Sequence, residues 1–431
     1  MRLRGYSRLL ACCLVGLLLG ACDEAGDPAP NMYYTEASRS EREQIHVLRL
    51  VGTPYEMGLQ HGELMAAELV EGMEWFDSDP MFFALMTLAR DYGMIDEALA
   101  QSYPDLVDEC RGMVEAAQAA GVAGLTLDKC VTLSYADVIV EYIEGLAGAC
   151  TQIAAGNAAT PDGTLIHARN MDNSYMRYLA EHPTIIVRRP EGQIPFLEVG
   201  FPGSVSPHSG MNAEGVCIAS NENSSEDHDR VGRSHIQMSR QVLQQCASLD
   251  EAEAFLSAQD HCSAESLMVS DGDGRTAAVF EMTASHIGVR RMDEHGLVFL
   301  TNHFVHPEMV ALHAERAADA STRSRLARLE QLLPPGGAAS LHGTLDVATA
   351  ITVLRDSHNP LTGETHPPDL FDGGGTIANN AAVHSMVFVP ERRVAYVAMG
   401  EPHVPQHEFL GFDLEALLRG EAGEAVPASY P

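Results

Sequence analysis

A cysteine between small residues, followed by a tight turn and a basic–acidic pair, is the feature that most constrains this chain. Cys150 follows a glycine and an alanine, and Asp162–Gly163 lies between two apolar stretches with strand character. This pattern predicts a β-hairpin from Thr151 onwards, with its turn at the Asp-Gly dipeptide. The returning strand would bring Arg169 and Asp172 back to the level of Cys150. The segment therefore predicts a sheet with a candidate nucleophile at one strand end.

The sequence before Cys150 predicts a mainly helical segment. It opens with alternating apolar residues at His46–Val51, which indicate a strand, and Thr53 with Pro54 then form a helix start signal. Helical periodicity is present at Tyr55–Trp75, Met81–Tyr92, Glu97–Leu106, Asp108–Ala120 and Leu125–Val140.

The sequence after Cys150 is dominated by strands. Strands are predicted at Thr151–Ala155, Leu165–Arg169, Thr184–Arg188, Ile194–Val199, Val216–Ala219, Ser266–Val269, Ala277–Met282, His286–Arg290, Leu297–Thr301, His384–Val389 and Val394–Met399. Helices are predicted at Ser234–Ala247, Leu249–Ala258, Thr322–Leu333 and Thr344–Leu354. Strands, two helices, strands and helices again favour an α+β fold with two antiparallel sheets and helices outside.

The first residues have the pattern of an export signal rather than of a folded element. A basic start is followed by the apolar run Leu9–Leu19 and then by a small-residue motif that ends at Cys22. We expect residues 1–22 to be a bacterial lipoprotein signal with the lipid on Cys22, and residues 23–45 to be a flexible tether. A plain secretory signal or a short membrane anchor is the alternative. The expected location is the bacterial cell envelope, with membrane contact only through the lipid.

The net charge of the protein limits the kinds of partner that it can bind. The chain carries a formal net charge of −33 at pH 7, with 60 acidic and 27 basic residues. Nucleic-acid binding requires a basic surface, so this function is not expected. An acidic surface that keeps the protein soluble explains the charge. An active site that attracts a cationic amine is the other explanation.

The number and spacing of the cysteines bear on metal binding, disulfides and catalysis. Beyond the signal segment, six cysteines remain, at positions 110, 130, 150, 217, 246 and 262. No Cys-x-x-Cys motif is present, which argues against zinc-ribbon and thioredoxin-like functions. Export permits disulfides, and Cys110 with Cys130 is the first pair to test. If Cys150 is reactive, an odd number remains and at least one other cysteine is free.

Several blocks, taken in order, resemble one known family. They are Gly52–Gly62, the Cys150 hairpin with Arg169–Asp172, Gly210–Gly215, the Thr-Asn-His motif in Leu300–His303, and the closing segment Ser385–Pro402. These blocks are similar to those of the acyl-coenzyme A:6-aminopenicillanic-acid acyltransferase-like family, which is related to choloylglycine hydrolases. The resemblance extends from about His46 to Pro402.

The resemblance implies a fold and a processing event. The fold would be the four-layer αββα sandwich of N-terminal nucleophile hydrolases, preceded by a mainly helical pro-segment. The chain would cut itself between Ala149 and Cys150, so that residues 46–149 become a small subunit and residues 150–431 a large one. The two fragments would stay associated. No cofactor and no metal are implied, and the substrate would be a small-molecule amide.

The chemistry of Cys150 agrees with this expectation. A thioester route divides the barrier of amide cleavage into two steps, and a free α-amine is a base of suitable pKa, about 8. That amine exists only after the Ala149–Cys150 bond is broken. A cation such as Arg169 favours the thiolate, and Asp172 could orient the ammonium group. An inert buried cysteine and a surface ion pair are the structural alternatives.

Two asparagines are candidates for stabilising the oxyanion. The resemblance assigns this role to Asn302, whose amide NH₂ can donate to a developing negative charge. Asn221, which follows the predicted strand after Gly215, is a candidate for a second contact. Turn asparagines are the structural alternative.

One stretch departs from the acyltransferase branch of the family. That branch carries a serine–arginine pair just before the closing hairpin, whereas this chain has Ala-Asn-Asn-Ala at Ala378–Ala381. The absence of the arginine favours hydrolysis over acyl transfer.

Three other functions remain open at this stage. A metal- or solute-binding lipoprotein could use the pairs His303/His306 and His403/His407, although neither pair has the glutamate of a His-Glu-x-x-His site. A papain-like hydrolase could pair Cys150 with a distant histidine. A non-catalytic relative could use the same scaffold for binding.

Overall fold

Two β-sheets packed face to face, with helices on their outer sides, form the centre of the molecule. The computed structural model describes residues 33–136, 138–139, 149–173, 177–315, 319–367, 375–421 and 428–431. The signal segment, Cys22 and residues 23–32 of the expected tether lie outside these residues. In the part of the chain that is described, no helix has both the length and the apolar character needed to cross a membrane.

The part before Cys150 contains two strands and six helices within the described residues. The elements are β1 (Ser38–Arg42), β2 (Ile45–Gly52), α1 (Pro54–Leu64), α2 (Ala66–Ser78), α3 (Pro80–Asp91), α4 (Met94–Gln101), α5 (Pro104–Ala119) and α6 (Leu127–Leu133). Thr53 caps α1 with a capping box shared with Glu56, as the sequence predicts for the start of this helix.

The part from Ala149 to the C-terminus holds the remaining strands and helices. Its elements up to the middle are β3 (Ala149–Asn157), β4 (Gly163–Asp172), α7 (Arg177–Glu181), β5 (Thr184–Pro190), β6 (Phe196–Gly200), β7 (Ser209–Asn212), β8 (Val216–Glu222), α8 (His235–Gln245), α9 (Leu249–Ser257), β9 (Glu265–Asp271), β10 (Thr276–Met282), β11 (Ile287–Arg291) and β12 (Leu297–Leu300). They are followed by α10 (Asp319–Leu332), α11 (Val347–Leu354), β13 (His358–Asn359), β14 (Glu364–Thr365), β15 (Ala382–Val389), β16 (Val394–Met399), β17 (Leu410–Asp413) and α12 (Leu414–Leu418).

The strands form two large sheets. The first has nine strands in the order β1-β2-β5-β6-β7-β8-β9-β10-β11, and the second has six in the order β12-β3-β4-β15-β16-β17. Neighbouring strands in both sheets are antiparallel except β2 and β5, which are parallel. The two shortest strands, β13 and β14, pair with each other.

Hydrophobic clusters define four layers. One cluster fills the space between the sheets, where Val187 and Val199 of the first sheet pack with Phe388 and Val397 of the second. Helices α8 and α9 cover the outer face of the nine-stranded sheet, and α10 and α11 cover that of the six-stranded sheet. The predicted α+β class and the αββα sandwich are therefore confirmed.

Close helix packing and a disulfide hold the N-terminal segment together. Helices α1 and α5 cross so closely that a Cβ at Gly58 would lie 2.0 Å from the Glu109 carbonyl oxygen, and one at Gly112 would lie 2.1 Å from the Tyr55 carbonyl oxygen. Glycine is therefore required at both positions. A disulfide joins Cys110 to Cys130, with the Cα atoms 5.8 Å apart, so the predicted pairing is confirmed.

Several sequence-based boundaries differ from the structure. The helix predicted at Tyr55–Trp75 is two helices, because Met65 leaves the helical conformation at φ −115°, ψ 23°. Ser38–Arg42, placed in the tether from the sequence, forms β1 and pairs with β2. Strands β7 and β17 were not predicted, since each has only four residues and little alternation.

Candidate active site

Cys150 is the second residue of β3, inside the six-stranded sheet. It lies opposite Met171 on β4, so the predicted hairpin is present with the nucleophile at one end. Its side chain is 5% exposed. Because side chains alternate along a strand, Cys150 and Gln152 point towards the space between the sheets. The thiol therefore lies at the end of the sandwich interior.

Arg169 is the charged partner of the thiol. Its Nη2 atom lies 3.4 Å from Sγ of Cys150. The same guanidinium donates to the His208 carbonyl at 2.7 Å, to Oγ of Ser209 at 2.6 Å and to the Ser220 carbonyl. Arg169 is 1% exposed, and the three oxygen atoms that accept its hydrogen bonds are neutral. Its positive charge therefore lies beside the sulfur atom and favours the thiolate form of Cys150.

Neighbouring groups shift the pKa of the Cys150 thiol in opposite directions. Burial raises the pKa of the thiol above its usual value, and the Arg169 guanidinium acts in the opposite direction. The carboxylate of Asp172 also raises it, while the backbone N–H of Asp172 hydrogen-bonds to the sulfur and lowers it. The net direction is upward, so the uncut chain holds a neutral thiol that needs a base to react.

Asp172 ends β4 and is 2% exposed. Its Oδ2 atom accepts a hydrogen bond from Nδ2 of Asn379 at 2.6 Å. Asn379 belongs to the stretch that lacks the arginine of the acyltransferase branch, so this departure lies beside the site. A neutral amide there holds the carboxylate through a hydrogen bond.

Asn302 contacts the backbone of the nucleophile. Its Oδ1 atom accepts a 2.7 Å hydrogen bond from the backbone N–H of Cys150, and its Nδ2 atom donates to the Glu222 carbonyl at 2.8 Å. Asn302 is itself fixed by Oγ1 of Thr322, which accepts from the Asn302 N–H at 2.7 Å. In this arrangement Asn302 faces the nitrogen atom that a cut before Cys150 would turn into the α-amine.

Asn221 contacts the same residue from the other sheet. Its Nδ2 atom donates to the Cys150 carbonyl at 3.1 Å and to the Thr301 carbonyl at 3.0 Å. Asn221 and Asn302 are predicted to stabilise an oxyanion through their amide NH₂ groups. In the structure both NH₂ groups donate to backbone carbonyls instead. Their role in stabilising an oxyanion stays a prediction.

Arg325 is a site residue that the sequence reasoning missed. Its Nη1 atom donates to the Cys150 carbonyl and, at 3.0 Å, to Oγ1 of Thr151, while Nη2 lies 3.0 Å from Oδ1 of Asn302. It projects from α10, 175 residues after the nucleophile, and is 1% exposed. An arginine within a polar helical sequence gives no local signal of such a contact.

The structure brings all five predicted catalytic residues together. They are Cys150, Arg169, Asp172, Asn221 and Asn302, and each of the last four contacts the Cys150 thiol or backbone directly. Arg325 and Asn379 complete the group. This group places a thiol beside a cation and surrounds the Cys150 backbone with polar side chains.

Three of the four histidines proposed for a metal are hydrogen-bonded to other groups. His303 Nδ1 lies 2.8 Å from Oγ1 of Thr322, and the His306 side chain accepts from the Glu308 N–H at 3.3 Å. His407 Nδ1 lies 3.1 Å from the Met399 carbonyl. Within the residues that the structure describes, no cluster of three or more histidine, cysteine, aspartate or glutamate side chains could hold a metal ion.

Fold and site together define the class of the protein. A four-layer αββα sandwich that carries its candidate nucleophile at the start of an inner strand is the arrangement of N-terminal nucleophile hydrolases. The model of the acyl-coenzyme A:6-aminopenicillanic acid acyl-transferase family matches residues 158–403, more than half of the chain. The chain belongs to this family.

Two curated proteins are similar to this chain in sequence. An uncharacterized protein of Archaeoglobus fulgidus is 25% identical over 361 residues, which cover 74% of this chain and 59% of the relative. Protein dcd1A of Dictyostelium discoideum is 25% identical over 285 residues, covering 58% of this chain and 60% of the relative. This chain therefore spans about three fifths of the length of both relatives.

Among solved structures, a Caenorhabditis elegans N-acylethanolamine-hydrolyzing acid amidase ortholog is 18% identical. The comparison covers 56% of this chain and 93% of that protein, with a TM-score of 0.40.

Proposed function

We propose that this chain cuts itself between Ala149 and Cys150 and then cleaves an amide through a thioester on Cys150. One observation carries the proposal: the Cys150 thiol faces a buried guanidinium, while its backbone N–H is bonded to Oδ1 of Asn302 at 2.7 Å. Both atoms that the chemistry needs, sulfur and nitrogen, are therefore held by side chains of the sandwich.

Self-cleavage would begin with an attack of Cys150 Sγ on the Ala149 carbonyl carbon. The Ala149–Cys150 amide bond breaks, a thioester to Ala149 forms, and the nitrogen takes a proton to become the free α-amine. Water then hydrolyses the thioester, leaving a carboxylate on Ala149 and the thiol on Cys150. Ala149 adds little bulk beside the attacked carbonyl.

Cleavage of the substrate would repeat this chemistry with the new amine as base. The α-amine takes the thiol proton, the thiolate attacks the amide carbonyl, and the leaving amine departs with a proton. Water then hydrolyses the acyl-thioester and restores the thiol. Arg169 and Arg325 both contact Cys150, and two nearby cations keep an amine less basic and therefore more often neutral.

We propose hydrolysis rather than acyl transfer as the principal reaction. The arginine that the acyltransferase branch carries near Ala378–Ala381 is absent, and Asn379 in this stretch is bonded to Asp172. The substrate would be a small-molecule amide. The net charge of −33 supports an amine portion that is positively charged.

The fragments would stay together after the cut. The N-terminal fragment contributes β1 and β2 to the nine-stranded sheet, where β2 pairs with β5 of the other fragment. Glu109 of α5 is fully buried between Arg188 and Arg240, at 3.1 Å and 2.6 Å. Separation would break a strand pair and expose buried charges, which supports lasting association.

We also propose export and lipid anchoring through Cys22. The support is the basic start, the short apolar run and the small-residue motif of residues 1–22. A Cys22→Ser variant is then expected to lose both the acyl mass and the partition into detergent.

The proposed activity can be tested on three purified proteins. Wild type should give two fragments on a denaturing gel, with intact masses that meet at Ala149/Cys150. Cys150→Ala should remain one chain, and Cys217→Ala, which alters another buried cysteine, should be cut normally. A wild-type chain that stays uncut yet hydrolyses amides would contradict self-processing.

A non-catalytic or solute-binding protein on the same scaffold is the competing proposal. It predicts an uncut chain whose Cys150 reacts with iodoacetamide no faster than an ordinary buried thiol.

A further inference from the structure

A row of buried polar side chains crosses the space between the two sheets and ends at the nucleophile. It runs from Ser270 on β9 through His167 on β4 and Gln152 on β3 to Asn221 on β8. All four residues are 0% exposed. Polar groups in such a place are costly unless each one is hydrogen-bonded, so the row requires an explanation.

The hydrogen bonds of this row have only one consistent direction. The Asn221 amide donates its NH₂ to two carbonyls, so its Oδ1 is the acceptor for Nε2 of Gln152 at 2.6 Å. Gln152 Oε1 must then accept from Nε2–H of His167 at 3.0 Å. The other ring nitrogen, Nδ1, accepts from the Ser270 hydroxyl at 3.0 Å.

The protonation of His167 agrees with this direction. Burial lowers the pKa of His167 to about 3, and the nearby charge of Arg169 acts in the same sense. The ring is therefore neutral at physiological pH, with one donor and one acceptor nitrogen. A neutral ring fits one acceptor on one side and one donor on the other.

Asn221 connects two parts of the candidate active site. Its NH₂ group holds the carbonyl of Cys150 and the carbonyl of Thr301, the residue directly before Asn302. If the amide turned over, Oδ1 would face both carbonyl oxygens and both hydrogen bonds would be lost. The spacing between the nucleophile and Asn302 thus depends on the orientation of one side-chain amide.

We infer that Gln152 and His167 are positioning residues that fix the Asn221 amide and thereby set Cys150 against Asn302. This inference rests on the proposed function of Cys150 as nucleophile. Gln152 supplies the donor that Asn221 Oδ1 requires, and His167 keeps Gln152 from turning over. Neither residue touches the thiol, so their effect passes through Asn221.

The replacement Gln152→Glu tests the inference through pH. A protonated glutamic acid can donate to Asn221 and accept from His167, as glutamine does. An ionised carboxylate has only acceptors and would turn the Asn221 amide. Burial raises the pKa of this new carboxyl and the Arg169 cation opposite position 152 lowers it, so its transition is sought over a wide pH range.

The new carboxyl would titrate among other charged and titratable groups. The titratable and charged groups near it are His167 and Arg169 from β4, Cys217 from β8, and Cys150 itself. His167 has a pKa of about 3, and burial raises the pKa of Cys217 well above its usual value. Cys150 is common to wild type and variant, and Gln152→Met separates the loss of hydrogen bonds from the direct effect of the new charge on its thiol.

The measurement is the rate at which iodoacetamide alkylates Cys150 in the purified protein, followed by peptide mass from pH 5 to pH 9. The ratio of the Gln152→Glu alkylation rate to the wild-type rate should be near one at low pH and should fall roughly tenfold or more as pH rises. The rate falls because the hydrogen bonds that hold Cys150 are lost. Thermal unfolding at each pH confirms that both proteins are folded.

Gln152→Met is the matched control, because it removes both hydrogen bonds without adding a titratable group. Its ratio should be low and independent of pH. If the alkylation rate of Gln152→Glu equals that of wild type at every pH, the inference is overturned. If Gln152→Glu does not fold, a wild-type alkylation rate for Gln152→Met overturns it instead. An uncut wild type with an unreactive Cys150 would instead refute the proposed function.

Discussion

The backbone N–H of Cys150 donates a 2.7 Å hydrogen bond to Oδ1 of Asn302, which lies 152 residues further along the chain. The acceptor is positioned by Thr322, whose hydroxyl binds the Asn302 N–H at 2.7 Å. A cut before Cys150 would convert this N–H into an α-amine without moving it away from Asn302. The amine would then be oriented from the moment it forms.

Asn302→Leu should slow self-cleavage and Cys150 alkylation without abolishing folding. Leucine has a similar volume but cannot accept from the Cys150 nitrogen. Losing one such hydrogen bond costs about 1–2 kcal/mol, which corresponds to roughly a tenfold lower rate. The fraction of cut chain against time, read on a denaturing gel, measures the effect. A wild-type rate would show that Asn302 does not orient the nitrogen.

Arg169→Met should shift the pH profile of Cys150 alkylation to higher pH. Burial raises the pKa of the thiol and Arg169 opposes that rise, so removing the cation leaves burial and Asp172 unopposed by charge. The thiolate should then appear only at a higher pH than in wild type. Arg392→Met is a control, because its side chain is 65% exposed. Equal profiles for wild type and Arg169→Met would contradict the assigned contact.

Arg325→Met should impair self-cleavage, whereas Arg323→Met should not. Both residues lie on α10, but Arg325 bonds the Cys150 carbonyl and Asn302, while Arg323 is 56% exposed and pairs with Glu315. Exposed ion pairs contribute about 0–1 kcal/mol, so the control should behave as wild type. Cleavage rates and thermal unfolding of both variants decide the comparison. Equal cleavage rates would remove Arg325 from the site.

Glu109→Gln should weaken the hold between the two fragments. Arg188 and Arg240 hold the pKa of the Glu109 carboxyl below its usual range despite burial. Its stabilising effect is therefore present above the unfolded-state pKa of about 4.3 and is lost as pH falls through the lower folded-state value. Replacing one partner of a buried ion pair costs about 3–5 kcal/mol.

The measurement for Glu109→Gln is thermal unfolding at pH 7 with size-exclusion chromatography of the cut protein. Glu115→Gln is the matched control, since Glu115 lies on the same helix and bonds only the exposed Tyr55 hydroxyl among the described contacts. An unfolding temperature equal to that of the control would show that the buried charges do not hold the fragments together.

Local patterns in the sequence predicted the hairpin that carries the site. An Asp-Gly turn between apolar strands determines β3 and β4, and strand alternation then places Cys150 and Arg169 on one face. The order of strands and helices likewise predicted the two sheets and their helical layers. These features depend on residues close together in the chain, which is why the sequence alone reveals them.

Contacts between distant segments could not be predicted in the same way. The parallel pairing of β2 with β5 has no local signature. Arg325 reaches Cys150 from a helix 175 residues away, and Asn379 meets Asp172 across 207 residues. The resemblance pointed to Asn302, and the place of Asn221 after a predicted strand pointed to Asn221, but only the structure shows that their amides are bonded to backbone groups. Which atom of an amide faces the nucleophile depends on the packing of several strands.

Self-cleavage would make Cys150 an N-terminal residue. To test this, the larger fragment of the wild-type protein is isolated, its thiols are alkylated, and its first residue and its mass are determined after reductive methylation of free amines. We expect a fragment that starts at Cys150 with a methylated α-amine, and a chain left uncut in Cys150→Ala. A larger fragment that starts at any other residue, or a wild-type chain that is never cut, would contradict it.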